Sequence, residues 1–236
     1  MKWPHSTLLV LIFILLSNTI FASSLSINPV LLTLTNEEPV TTLTLTNLSD
    51  SIATVQADVV SWQQKMGVDI NRNTSDMIIS PPLFQLKAHE SQLLRVAWLS
   101  KHPVNEQLTY RVILREIIPH KIIPEGREAN LQIALAFSIP LFVQPSVQNL
   151  LYQWEARWIG KNKLKLDLNN SGNVTLFVNK IQLRSNNNEV LNKQMFAYIL
   201  PKKSHVFALD LKKSNALNIS AMINGEWKVN SVQIKE

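Results

Sequence analysis

Residues 130–145, NLQIALAFSIPLFVQP, leave the chain few ways to fold. Read with a period of two, Leu131, Ile133, Leu135, Phe137, Ile139, Leu141 and Val143 share one face, and Ala134, Ala136, Ser138, Pro140 and Phe142 share the other. A row of large apolar side chains that long exceeds the roughly five or six residues of an ordinary strand. Such a ribbon either fills the core of its own sandwich or meets another chain. Pro140 brings no N–H to a central ladder and so marks an edge or a bend. No charge falls between Asn130 and Pro145, and charge is the usual protection of an apolar edge against pairing.

The rest of the chain sets the environment for that ribbon. Lys2, the apolar run 8–16 and the small residues Ala22, Ser23 and Ser24 predict a secretory signal peptide over 1–24, cut after Ala22 or Ser24. Its apolar run is shorter than the roughly twenty residues of a membrane span, and none of that length follows. The expectation is an exported protein without membrane insertion. There is no cysteine, which excludes disulfides, thiolate metal sites and a cysteine nucleophile. Burial must hold the fold, and the 46% hydrophobic composition allows it.

Charge divides the chain. Residues 25–145 carry nine Lys and Arg against eleven Asp and Glu, and residues 146–236 carry thirteen against six. In the basic half, Lys161, Lys163, Lys165, Lys202, Lys203, Lys212 and Lys213 alternate with apolar residues or sit beside turns. That is the pattern of solvated strand faces, so no nucleic-acid partner is expected.

Short alternating segments run through the remainder: 25–35, 40–48 and 53–62, then 92–99 and 108–118. The polar stretch 63–75 reads as loop, Ser80-Pro81-Pro82 as an extended crossing, and 119–129 as a linker into the ribbon. After Pro145 the pattern restarts with seven strand candidates, the last spanning 227–234. Asn169 to Asn173 and residues 185–189 are turns between them. No helical periodicity is sustained over three turns. The predicted architecture is all-β, with a sandwich at 25–145 and a second at 146–236.

Chemistry is sparse. The histidines His5, His89, His102, His120 and His205 are scattered without metal-ligand spacing. There is no nucleophile elbow and no glycine-rich phosphate loop. Asp69-x-Asn71-x-Asn73 lacks the glycine and terminal glutamate of a calcium loop. No catalysis, cofactor or metal is expected. Cations do stand out on strands: Arg95 sits among apolar neighbours, and Arg111 and Arg115 share one face. Such a pair can clamp an anion.

Five pieces in order carry a resemblance: Ser80-Pro81-Pro82, QLLRV at 92–96, YRVILREII at 110–118, LQIAL at 131–135 followed by IPLF at 139–142, and NNSGNV at 169–174. Together they resemble the periplasmic chaperones of the chaperone-usher pilus pathway, closer to the divergent, so-called archaic branch. The resemblance implies two immunoglobulin-like β-sandwich domains in an angled, boomerang arrangement, in the periplasm. It implies binding of pilus (fimbrial) subunits by donor-strand complementation, in which an edge strand fills the groove left by a missing strand. The subunit then passes to an outer-membrane usher. Carried onto this sequence, the donor residues are Leu131, Ile133 and Leu135, with Phe137. Four such side chains, at about 1.5–3 kcal/mol each, would contribute on the order of 6–12 kcal/mol before ordering costs.

Two family features are missing. The arginine and lysine that grip the subunit's terminal carboxylate are replaced here by Leu31 and Pro140; the expected anchors are instead Arg95 and Arg111, with Arg115 third, on strands beside the donor. Glu116 matches the family's interdomain glutamate, but Gln144 stands where its arginine partner would be. Self-capping of the donor strand by a homodimer is left open. The alternative is a two-domain surface adhesion or carbohydrate-binding module that stacks sugars on Trp62, Trp98 or Trp158.

Overall fold

A computed structural model describes residues 25–100, 102–118, 134–185, 190–213 and 216–235. The expected signal segment 1–24, the linker at 119–129 and the donor residues Leu131 and Ile133 lie outside the described residues.

Every regular element among them is a strand. The first half forms β1 (Leu25–Asn28), β2 (Leu32–Leu34), β3 (Val40–Asn47), β4 (Ala53–Lys65), β5 (Val68–Asn73), β6 (Met77–Ser80), β7 (Leu83–Leu86), β8 (Ser91–Trp98), β9 (Leu108–Glu116) and β10 (Ala136–Val143). They make two sheets, β1-β3-β8-β6 and β2-β10-β9-β4-β5, with β7 also on β4. The second half forms β11 (Tyr152–Ile159), β12 (Lys163–Asn170), β13 (Leu176–Ser185), β14 (Val190–Ile199), β15 (Ser204–Asp210), β16 (Leu217–Ile223), β17 (Glu226–Ser231) and β18 (Gln233–Lys235). Its sheets are β15-β12-β11-β18 and β14-β13-β16-β17.

Period-two alternation explains both sandwiches. Leu43, Leu45, Leu94 and Val96 from one sheet meet Val55, Ala57, Val112, Leu114 and Leu141 from the other in a single buried cluster. In the second half, Trp154, Leu164 and Leu166 meet Val178, Ile181 and Ile219 in the same way. The opposite faces stay polar, as antiparallel sheets with one wet side do. These are two immunoglobulin-like sandwiches, as expected. The prolines at 81 and 82 cross between sheets: β6 pairs with β8, whereas β7 pairs with β4.

Two expectations need correction. The stretch 63–75 is not a loop: β4 runs on to Lys65 and pairs with β5 in a hairpin turned at Met66 and Gly67, both at positive φ. Exposure explains the misreading, because β5 carries only one residue that is even half-buried, and its apolar alternation is two residues long, Val68 and Ile70. The single strand expected at 227–234 breaks at Val232. Its first part joins β16 in one sheet, and its second lies parallel to β11 in the other.

A buried asparagine pins one corner of each sandwich. Asn47 Nδ2 donates to the carbonyls of Ser51, Leu86 and Lys87, while its Oδ1 accepts from the Ser49 N–H. Asn170 repeats the device, donating to Val174, Ile199 and Leu200 and accepting from Gly172. Both side chains are fully buried, and the amide's two functions match opposite backbone needs at the same corner.

The sandwiches meet through Trp62, Phe142 and Leu200, with Tyr198 packed against them. Gln64 crosses the junction: its Nε2 donates to the Tyr198 carbonyl at 2.8 Å and its Oε1 accepts from the Leu200 N–H. Gln107 crosses it as well, donating to Gln144 Oε1 at 2.9 Å and accepting from both the N–H and the hydroxyl of Thr175.

Candidate functional site

The described part of the ribbon, residues 134–143, is divided between two tasks. Ile139, Leu141 and Val143 are sealed in the first core, whereas Leu135 and Phe137 are only half-buried. Its backbone is divided at the same point. Along its whole length β10 pairs antiparallel with β9, but β2 covers its other side only at 141–143. The Glu116 N–H donates to the Leu135 carbonyl at 2.9 Å, which fixes the parity: odd-numbered residues of the ribbon address β9. Even-numbered residues therefore turn their N–H and C=O groups the other way. At Gln144 that side is taken, its N–H donating to the Leu34 carbonyl.

At Ala136 and Ser138 no strand among the described residues lies on that side. Pro140 stands at the boundary, and the donor it lacks would have pointed to the open side. The result is a short free edge with Leu135 and Phe137 beside it, able to accept one added strand. Half-burial in the free chain roughly halves what those two side chains can still gain on pairing.

The three candidate cations are not brought together. Arg95 is exposed on β8, in the sheet that β10 does not belong to. Arg111 and Arg115 share the outer face of β9, opposite Pro140 and Ala136 respectively. Arg115 reaches Asp58 at 3.2 Å with both side chains about half exposed, a pair worth little in water. Arg111 is different: its guanidinium lies 3.8 Å over the Trp62 ring and its Nη2 meets Asp69 Oδ2 at 2.6 Å, with 17% of the side chain exposed.

Gln64 donates to the second Asp69 oxygen at 3.0 Å. Burial alone would push the Asp69 carboxyl up, but the hydrogen bonds from Gln64 and Arg111 and the Arg111 charge outweigh it and hold the group below its ordinary value. Arg111 and Gln64 thus hold a carboxylate, that of the chain's own Asp69, at the domain junction. The junction opens on a cleft of about 390 Å³ lined by both sandwiches.

Glu116 does not serve the domain junction. It ends β9 beside Leu135, while the junction lies at the other end, where Leu108 faces Val143. The nine residues of this extended strand place the two ends roughly 26 Å apart. The Gln107–Gln144–Thr175 contacts occupy the junction instead. The tryptophans of the carbohydrate alternative offer no platform either: Trp62 and Trp98 are buried, and Trp158 is half-buried against the second core. Gln64, Asp69 and Gln107 were missed in the sequence. The alternation of Val68 and Ile70 with polar residues after Met66-Gly67 is the signal that could have revealed the hairpin carrying Asp69.

Comparison with known proteins agrees with this fold. No curated protein matches the chain. Among solved structures, the chaperone–tip adhesion subunit pre-assembly complex CsuC–CsuE of the archaic chaperone-usher Csu pili of Acinetobacter baumannii is similar at TM-score 0.68 and 23% identity, covering 91% of this chain and 100% of that one. The E. coli chaperone DraB is similar at TM-score 0.63 and 20% identity, covering 90% and 97%. The Salmonella enterica complex of the SafA pilin with the SafB chaperone matches at TM-score 0.58 and 14% identity, covering 91% and 95%. At these identities the likeness is one of fold. Residues 24–148, more than half of the chain, match the family described as pili and flagellar-assembly chaperone, PapD N-terminal domain, and the chain belongs to that family.

Proposed function

We propose that this chain is a periplasmic chaperone that binds pilus subunits by adding the free edge of β10, with the residues leading into it, as a strand to the subunit. Leu131, Ile133, Leu135 and Phe137 are the donor side chains. Residues 1–24 are the export signal, 25–145 the donor-bearing domain and 146–236 the second domain. An outer-membrane usher receives the subunit. No catalysis or cofactor takes part. The observation that carries the reading is the outward-turned backbone at Ala136 and Ser138, continuous with an uncharged apolar stretch. The class of ligand is suggested by the neighbours crystallised with a tip adhesion subunit and a pilin.

Co-expression with a pilus subunit tests it. The subunit should be recovered soluble in a one-to-one complex, and a subunit degraded equally with and without this chain contradicts the proposal.

Arg111 is the anchor for the subunit's terminal carboxylate, and Asp69 is the stand-in that must leave. Arg111→Ala should weaken capture, while Asp69→Asn should strengthen it by removing the competitor. Asp69 is 39% exposed, so solvent screening limits the pair to about 1 kcal/mol, roughly fivefold in affinity. Titration of the variants with subunit checks the signs, and weaker binding by Asp69→Asn would remove Asp69 from that role. Because the Asp69 carboxyl is held low, the wild-type pair stays intact at neutral pH and is lost only as the pH falls through that lowered value.

A further inference from the structure

We infer that the second sandwich reads the residue at the very end of the subunit, through the exposed ring of Phe196 in the interdomain cleft, which favours a bulky apolar, above all aromatic, last side chain. This rests on the proposal that the terminal carboxylate is held at Arg111.

Phe196 is the most exposed aromatic side chain among the described residues, at 72%. It is nonetheless held in place. Its ring stacks on Phe177 at 6.4 Å and 25°, and Phe177 stacks on Tyr198 at 4.5 Å. Tyr198 meets Trp62 edge-on at 5.4 Å, and Trp62 carries the Arg111 guanidinium. An aromatic ladder therefore runs from the anchoring cation on the first sandwich to an open ring on the second.

The backbone favours the same placement. Pairing of β13 with β14 slips between Val178 and Lys180, so Val178 faces Ala197 but Lys180 faces Gln194. Met195 and Phe196 are left out of the ladder by this bulge, a device that re-aims side chains at sheet edges. Both then line the interdomain cleft together with Arg111 and Tyr198. Its volume of about 390 Å³ lies near the lower end for small-ligand sites, enough for one residue and too little for a folded element. A cleft with a guanidinium at one wall and stacked rings at the other matches a chain terminus: a carboxylate, with an apolar side chain on the carbon beside it. Stacking against an exposed ring adds roughly 2- to 12-fold in affinity beyond burial, which sets the scale of selectivity.

The test is co-expression of the wild-type chain, Phe196→Ala and Arg111→Ala with a pilus subunit ending in Phe and with the same subunit ending in Ala, read as complex recovered. Wild type should recover at least fivefold more of the Phe-ended subunit. Phe196→Ala should bring the two within twofold while capturing the Ala-ended subunit as wild type does, and Phe196→Leu should be intermediate. Arg111→Ala should lower both and bring the ratio towards one, because the carboxylate that seats the last residue is no longer held. Thermal melting of the free Phe196 variants should match wild type, since the side chain is exposed. A Phe196→Ala chain that keeps the wild-type ratio, or that loses both subunits equally, overturns the role of Phe196 and leaves strand donation standing. A wild-type chain that captures neither subunit overturns strand donation, and the role of Phe196 with it.

Discussion

Replacing Ala136 and Ser138 together by proline should reduce subunit capture at least tenfold and leave the free chain folded. Both residues face β9 at positions whose own N–H groups point to the free edge, so no bond of the existing ladder is lost. Pro140 already occupies the equivalent position two residues on. The residue before a proline is pushed towards extended backbone, which these residues already have. An incoming strand, by contrast, would lose two donors, together about 1–3 kcal/mol, and would meet two pyrrolidine rings. That is roughly 5- to 150-fold in affinity before the steric term. Urea unfolding of the free variant should move by no more than about 1 kcal/mol. Unchanged capture would mean that subunits do not pair here.

The second large effect is on stability. Asn170→Asp should cost at least about 3 kcal/mol in urea unfolding, because three carbonyls that now accept from its amide would face a carboxylate in a fully buried corner. Leaving a buried polar group unmatched costs about 1–3 kcal/mol for each, and a buried charge costs more. Gly172 sets the tightness of that corner: an added Cβ there would come within 2.3 Å of the Asn149 carbonyl oxygen. A change below about 1 kcal/mol would mean that water already serves those carbonyls.

Much of this was legible in the chain. Alternation of apolar and polar residues gave the strands that line both cores, because those strands bury one face. The same rule failed for β5, which buries neither face. The ribbon's division also escaped periodicity: the pattern runs evenly from Leu131 to Val143, and only the arrival of β2 at 141–143 decides which part is sealed. Pro140 marked the boundary but could not say which side of it was open. Nor could spacing separate the arginines. Arg95 and Arg111 both lie among apolar neighbours, and which sheet each joins is set by long-range pairing, β8 with β3 and β6, β9 with β4 and β10. Glu116 was misplaced because a residue match carries no position along the strand. The junction is made by glutamines, whose neutral side chains stand out in no charge count.

Hydrogen exchange of four backbone amides tests the free edge most directly. Phe137 and Ile139 are bonded into β9 and should exchange slowly in the free chain, while Ala136 and Ser138, one residue away, should exchange as open backbone does. On forming the complex with a subunit, the Ala136 and Ser138 amides should slow at least tenfold with little change at the other two. Slow exchange at Ala136 and Ser138 in the free monomer, or fast exchange that persists in the complex, would contradict strand donation from this edge.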